Sequence, residues 1–331
     1  MESISFKVTK GTGEQELRPE YDVIILGGGP AGLTAAIYAA RARLKTLLVE
    51  KEVIGGEAAS TSKIENYPGF PEGISGVELA ERMRAQAEKF GAQIIMAMPE
   101  KLDLWAEPKE MKLKDQLIRA QSVILSSGTS PKRLGVPGEI KLKGRGVSYC
   151  ATCDGPMFAD KDIAIVGCGN SGLQEGLFIL KFVKSMTMVE FLPTIQAERI
   201  LQDNIMAHEN VRWLLNHEVL SINGEQWVES ITVKDRETDE EKEVPVQGVF
   251  IYIGLKPNSD YLEGQVELDE WGFIPTDERM QTSVPGIFAA GDIRTTEMRQ
   301  VATAIGDGAV AASSAYHFVN SKSSLLKKGS S

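Results

Sequence analysis

Two cysteines two residues apart, with a carboxylate directly after the second, are the side chains of this sequence with the clearest chemical capacity: Cys150-Ala151-Thr152-Cys153-Asp154-Gly155. Sulfurs at that spacing can close a small disulfide ring. A neighbouring carboxylate can shuttle the proton that thiol–disulfide exchange requires, and for that Asp154 should be partly buried. With 3 cysteines in 331 residues the pair cannot belong to a disulfide scaffold. A structural zinc site needs about four ligands, whereas His208, His217 and His317 stand far from the pair without ligand spacing. What remains is a redox dithiol, with Cys150, Cys153 and Asp154 as catalytic candidates and no metal site.

A dithiol needs a source of electrons, and the flanking sequence supplies two nucleotide-binding patterns. Tyr21–Leu26 is an apolar run of strand length leading into Gly27-Gly28-Gly29-Pro30-Ala31-Gly32. A helical face follows at Leu33, Ala36, Ile37 and Ala40, then a second strand, Thr46–Val49, ending on Glu50. In such a fingerprint the first glycine makes the tight turn, the second lets backbone approach a pyrophosphate and the third lets helix pack on strand. The acid serves ribose hydroxyls, and the helix N-terminus favours the anion. The unit then recurs: strand Asp162–Val166, loop Gly167-Cys168-Gly169-Asn170-Ser171-Gly172, helix face Leu173, Leu177 and Leu180, and strand Met186–Val189 ending on Glu190. Gly27 to Gly167 and Glu50 to Glu190 are both separations of 140 residues. Two nucleotide sites suit electron transfer between two cofactors. Cys168, inside the second loop, reads as a small apolar residue.

Between the modules, Val123–Thr129 is a strand closing on a small-residue turn, and Ser130-Pro131 begins a linker. Val249–Gly254 is a buried type of strand, Lys256-Pro257-Asn258 a second linker, and Val284–Asp292 returns to the first module. The expected fold class is therefore α/β, with two Rossmann-like three-layer domains, the second inserted into the first. The boundaries read as an N-terminal arm at 1–20, a discontinuous first domain at 21–129 and 257–320, the dithiol-bearing second domain at 130–256 and a loose tail at 321–331. Residues 301–319 read as a closing helix, and the charge run Asp235–Glu243 as a solvated hairpin turn. A net charge of -10 disfavours nucleic acid as a partner. No apolar run approaches the ~20 residues that span a bilayer. Few cysteines, two of them in a redox motif, fit a reducing cytoplasm.

From Tyr21 to about Phe318 the chain resembles the low-molecular-weight flavoprotein thioredoxin reductases. The matching pieces are Gly27–Gly32, Glu65-Asn66-Tyr67-Pro68-Gly69, Cys150–Gly155, Gly167-Cys168-Gly169-Asn170-Ser171 and Gly291-Asp292. The resemblance implies FAD in the first module, held by Gly27, Gly29, Pro30, Ala31, Gly32, Glu50 and Thr129, with Asp292 near the ribityl and pyrophosphate. It places Asn66 and Arg299-Gln300-Val301 near the flavin ring. It also implies a homodimer, a central domain that swivels on its linkers, and electrons passing from flavin to the Cys150–Cys153 disulfide and on to a thioredoxin-like protein. Cys153 is expected to be the sulfur nearer the flavin, although sequence alone does not assign the order.

The chain departs from that family where the second nucleotide binds. Family members carry a His-Arg-Arg run and a later Arg that grip the 2′-phosphate of NADPH; here the positions are Glu190-Phe191-Leu192 and Gln196, and every one of those cations is gone. Glu190 repels a 2′-phosphate and accepts from a free 2′-hydroxyl. NADPH is thus expected to be a poor donor. NADH on Gly167, Gly169, Asn170, Ser171 and Glu190 is one substitute. Reduced ferredoxin, with the second site vestigial, is the other, and Phe191 and Leu192, apolar where an adenosine pocket should be polar, lean toward it. Glu57 stands where the family has Gln and could shift the flavin potential. Competing functions are a flavin-dependent dithiol oxidase using oxygen, which Asp154 disfavours, and a non-catalytic flavoprotein redox sensor, which the intact dithiol disfavours.

Overall fold

The computed structural model describes residues 17–61, 64 and 66–328; most of the expected N-terminal arm, and Glu65, lie outside them. The chain forms two compact units, one made of the residues through Ser130 together with those from Pro257 onward, the other of Pro131–Lys256. The chain passes from one to the other through Thr129–Pro131 (β7) and Leu255–Pro257 (β16), which pair as a two-stranded ribbon.

The first unit is built on β1 (Glu20–Leu26), α1 (Pro30–Arg41), β2 (Thr46–Glu50), α2 (Gly76–Lys89), β3 (Gln93–Met96), β4 (Lys101–Asp103), β5 (Lys109–Leu113) and β6 (Gln116–Leu125). After the second unit it is completed by β17 (Ile287–Ala289) and α6 (Val301–Lys328). The sheet order is β3-β2-β1-β6-β5-β4, with β17 added alongside β6. β1, β2, β3, β6 and β17 run parallel, and β4 and β5 antiparallel. β1 shows why its apolar run is unbroken. Val23 and Ile25 join the core that holds α1, α2 and α6, while Tyr21, Ile24 and Leu26 join a second core against Leu104, Met111, Leu262 and Ile274. A strand covered on both faces has no polar side to show. α6 runs past Val319 to Lys328, further than the apolar pattern suggests, because no glycine or proline stands between those positions to stop it.

The second unit repeats the plan with β8 (Val147–Ser148), α3 (Ala151–Asp154), β9 (Asp162–Val166), α4 (Asn170–Ile179), β10 (Ser185–Glu190), α5 (Arg199–Met206), β11 (Val211–Leu215) and β15 (Gly248–Ile251). Its parallel sheet has the order β11-β10-β9-β15-β8. Ile163 and Ile165 pack toward α4 and α5. Ala164 and Val166 pack toward an antiparallel sheet of β12 (His217–Asn223), β13 (Ser230–Asp235) and β14 (Glu241–Pro245). Helices, parallel sheet and antiparallel sheet thus make three layers. The turn between β13 and β14 carries the exposed acids of the charge run.

Candidate redox site

The two glycine loops fold alike in atomic detail. Gly27 has φ +111 and a Cβ there would sit 2.3 Å from the Ser126 carbonyl oxygen; Gly167 has φ +100 and would meet the Tyr252 carbonyl at 2.2 Å. A Cβ on Gly32 or on Gly172 would lie 1.9 Å from the first glycine's own oxygen, so helix and strand touch backbone to backbone. By contrast Gly29 has only the Gly55 oxygen at 4.0 Å, and Gly169 has nothing within 4 Å. The middle glycines therefore face open space, the approach a pyrophosphate needs. Pro30 opens α1 in its first turn, where its missing N–H costs nothing, and Ala31 is buried against the same core.

The acids match as closely. Gly28 N–H donates to Glu50 Oε2 at 2.6 Å and Glu52 N–H to Oε1 at 2.8 Å. Cys168 N–H donates to Glu190 Oε2 at 2.6 Å and Leu192 N–H to Oε1 at 3.0 Å. Each carboxylate is 8% exposed, fixed by backbone amides and left with lone pairs for a ribose. Asn170 also braces this loop. Its side chain accepts from Glu198 N–H at 2.7 Å and donates to the Glu198 carboxylate at 3.3 Å, tying the loop after β10 back to the glycine turn. Ser171, the next residue of α4, is exposed.

In the first unit a cavity of about 360 Å³ opens beside the loop, lined among others by Gly27, Glu50, Lys51, Met98, Ser127 and Tyr261. Ser127 Oγ and Tyr261 Oη lie 3.0 Å apart there. Thr129 is buried at the start of β7. Asn66 donates its amide to Gln300 Oε1 at 2.9 Å, so residues 234 apart in sequence meet. Val301 begins α6 beside them. Arg299 lays its guanidinium over Phe273 at 4.3 Å from the ring centroid, and its Nε is buried without a hydrogen-bond partner among the described residues.

Asp292 sits on the short turn Gly291–Ile293 after β17. That turn is pinned by a pair the sequence reading missed. Asp307 accepts from Gly291 N–H at 3.1 Å and takes the Arg294 guanidinium through Nε at 2.7 Å and Nη2 at 3.2 Å. One acid among the small residues of the closing helix was the available signal. Burial pushes Asp292 up from 3.8 to about 6, Arg299 opposes the shift, and the charges of Asp307 and Glu57 add to it. Glu57 is raised too, first by desolvation and then by Glu52; its side chain is open to water, so screening keeps that effect small. An acid whose carboxyl is raised on folding holds its proton more tightly folded than unfolded. In flavin-stripped protein, Asp292 is therefore most favourable below 3.8, and its contribution is lost as pH climbs to about 6. Asp292→Asn should match the parent's melting temperature near pH 4 and exceed it near pH 7, by on the order of 1–2 kcal/mol of stability. Parallel melting curves across that range would contradict this.

The dithiol begins at the C-terminal end of β8. Cys150 is disulfide-bonded; the side chain of Cys153, within α3, lies outside the described residues. Cys150 N–H donates to Ser148 Oγ at 3.0 Å, and Ser148 donates its hydroxyl to Asp154 Oδ2 at 2.6 Å. Asp154 N–H closes the turn on the Cys150 carbonyl at 3.2 Å. Ala151 N–H donates to the Tyr252 hydroxyl oxygen at 2.8 Å. Burial, and then the Glu175 charge, push Tyr252 up, which keeps that hydroxyl neutral. Just before Cys150, Tyr149 donates to Glu139, a carboxylate 1% exposed that also accepts from Leu134 and Gly135 N–H at 2.9 and 2.7 Å. None of Ser148, Tyr252 or Glu139 carried a motif signal. Asp154 is half-buried. Cys168 is a free, fully buried thiol raised by burial first and by Glu190 second, which leaves it inert.

Residues 21–308 match the family described as pyridine nucleotide-disulphide oxidoreductase. The chain belongs to that family. It is 44% identical over 308 residues to the thioredoxin reductase of Bacillus subtilis (strain 168), covering 93% of this chain and 97% of that one. The crystal structure of Lactococcus lactis thioredoxin reductase (FR conformation) superposes with a TM-score of 0.85 at 38% identity, over 91% of this chain and 99% of that one. That of T. acidophilum thioredoxin reductase gives 0.82 at 38% identity, with the same coverage. This member of the pyridine nucleotide-disulphide oxidoreductases is thus an α/β oxidoreductase with Rossmann-like units, and no helix among its described residues is long and apolar enough to cross a membrane.

Proposed function

We propose that the protein is an FAD-dependent thioredoxin-disulfide reductase for which NADPH is a poor electron donor. The observation that carries the reading is the dithiol turn itself: a disulfide-bonded Cys150 whose backbone is held by Ser148, with the same hydroxyl fixing the Asp154 carboxylate. Relatives named thioredoxin reductase across nearly the whole chain support it.

The first unit fits a flavin dinucleotide. A Cβ would fill the turn at Gly27, Gly29 faces open space, the cavity reaches Glu50, and the buried Arg299 Nε has no partner among the described residues, one that a ligand would supply. Gly27, Gly29, Pro30, Ala31, Gly32, Glu50 and Thr129 would hold it, together with Asn66, Asp292, Arg299, Gln300 and Val301. Bound there, FAD supplies a two-electron carrier between the donor and the disulfide. The protein's own part is the exchange. Two electrons and two protons open the Cys150–Cys153 bond, and one thiolate attacks the partner's disulfide. The resulting mixed disulfide is resolved by the second thiol, and the partner leaves as a dithiol. Asp154 gives the departing sulfur its proton, and Ser148 keeps the carboxylate aimed. Asp154→Asn should slow thioredoxin reduction about a hundredfold while leaving flavin reduction by the donor unchanged. An equal loss in both half-reactions would remove Asp154 from this role.

For the donor, the intact second loop and the amide-fixed Glu190 favour NADH. Reduced ferredoxin is the second reading, favoured by Leu192, an apolar side chain 41% exposed just after β10. Anaerobic titration of the flavoprotein with NADPH, NADH and reduced ferredoxin in parallel, followed by reduction of a thioredoxin-like protein, tests the whole proposal. Failure of the reduced protein to pass electrons to any thioredoxin-like disulfide would overturn it.

A further inference from the structure

In sequence, no cation stands at Glu190-Phe191-Leu192 or Gln196, where a nucleotide's 2′-phosphate would be gripped. The structure brings one there from elsewhere. Arg236, in the exposed turn after β13, lays its guanidinium on the ring of Phe191 with 3.6 Å between guanidinium carbon and ring centroid. Its Nη1 donates to the Phe191 carbonyl at 2.9 Å and lies 3.4 Å from Asn216 Oδ1. The backbone closes the same circuit: Arg236 N–H donates to the Asn216 carbonyl at 2.9 Å, and Asn216 N–H to the Leu192 carbonyl at 3.0 Å. Asn216 and Arg236, distant in sequence, therefore fix one aromatic ring, directly after the acid at the end of β10.

We infer that the Phe191–Arg236 stack is an adenine-binding platform, selecting an adenine dinucleotide that lacks a 2′-phosphate. The inference rests on the reading that the second unit binds a nucleotide, and it names the side chains that recognise the base. Phe191 is half exposed, and an exposed aromatic face beside a ribose-binding acid is a surface on which a base can stack. Its partner on one face is planar and cationic, which suits stacking on a ring. Because the guanidinium already spends one edge on the Phe191 carbonyl and Asn216, it serves as a plate rather than as an open fork for phosphate. Glu190, with each oxygen accepting from a backbone amide, is fixed directly before that ring. Fixing the ring before the ligand arrives reduces the ordering cost of binding.

The test uses the FAD-loaded full-length protein, whose first site is filled, and calorimetric titration with ADP-ribose and with its 2′-phosphorylated analogue. The parent should bind ADP-ribose and prefer it to the analogue. Phe191→Ala should weaken ADP-ribose about ten- to a hundredfold; Phe191→Tyr should bind like the parent; Arg236→Ala should weaken both ligands without changing their ratio. ADP-ribose binding to Phe191→Ala at the parent's affinity would overturn the platform. So would a loss in Arg236→Ala confined to the 2′-phosphorylated analogue, since Arg236 would then be a phosphate clamp. A parent that binds neither ligand would remove the nucleotide site itself, and the platform with it. That outcome is distinct from a parent that binds while the variants are silent.

Discussion

Replacing Cys150 or Cys153 with serine should cut reduction of a thioredoxin-like protein by at least about a thousandfold, while the bound flavin is still reduced by the donor. The two halves of the reaction use different side chains, so they should separate cleanly. A serine hydroxyl can neither form the bridging S–S bond nor ionise at neutral pH, so the relay is cut at one atom while the glycine loops and both acids stay as they are. The remaining cysteine is informative. A single thiol can still attack a partner's disulfide and stay attached, because the resolving thiol is missing. The variant that captures a thioredoxin-like protein as a mixed disulfide keeps the sulfur that faces the partner, and the other sulfur is then the one facing the flavin. Cys168→Ala should retain the exchange step, since its thiol is fully buried and raised by burial and by Glu190. Substantial turnover in both Cys150→Ser and Cys153→Ser would sink the dithiol relay.

What was legible in the sequence was what depends on neighbours in the chain. A glycine turn with positive φ at Gly27 and Gly167, a helix opening on Pro30 and an acid closing the next strand are local demands, and the residues state them directly. The duplicate spacing of 140 residues made the second copy readable from the first. What was not legible came from the fold. Ser148 reads as one serine among many until β8 delivers it under Asp154. Asp307 is an acid in a helix until the turn at Gly291 docks on it. Arg236 reads as part of a solvated charge run, and the second loop as stripped of cations, until β13 carries its guanidinium back onto Phe191. Such pairings depend on side chains that meet only when strands from distant positions share a sheet, and no periodicity encodes them.

The donor preference should be convertible. The parent should be reduced far more slowly by NADPH than by NADH, with kcat/KM lower by about a hundredfold or more, because each missing charge-assisted phosphate contact forgoes about 1.5–3 kcal/mol. Placing arginine at Phe191, Leu192 and Gln196 together should bring NADPH to parity or better, as two regained contacts offset the repulsion from Glu190. Glu190 itself should be left in place at first. Its oxygens accept from Cys168 and Leu192 N–H, and histidine there would orphan two backbone donors next to the glycine turn, which costs about 1–3 kcal/mol each. The order of substitution therefore matters: Glu190→His alone should damage NADH use without improving NADPH, whereas the three arginines alone should raise NADPH use while NADH falls with the loss of the Phe191 ring. Rapid, tight reduction of the parent flavoprotein by NADPH would refute the reading of this site. A parent that neither nucleotide reduces, but that reduced ferredoxin does, would leave the dithiol chemistry standing and assign the donor to a protein.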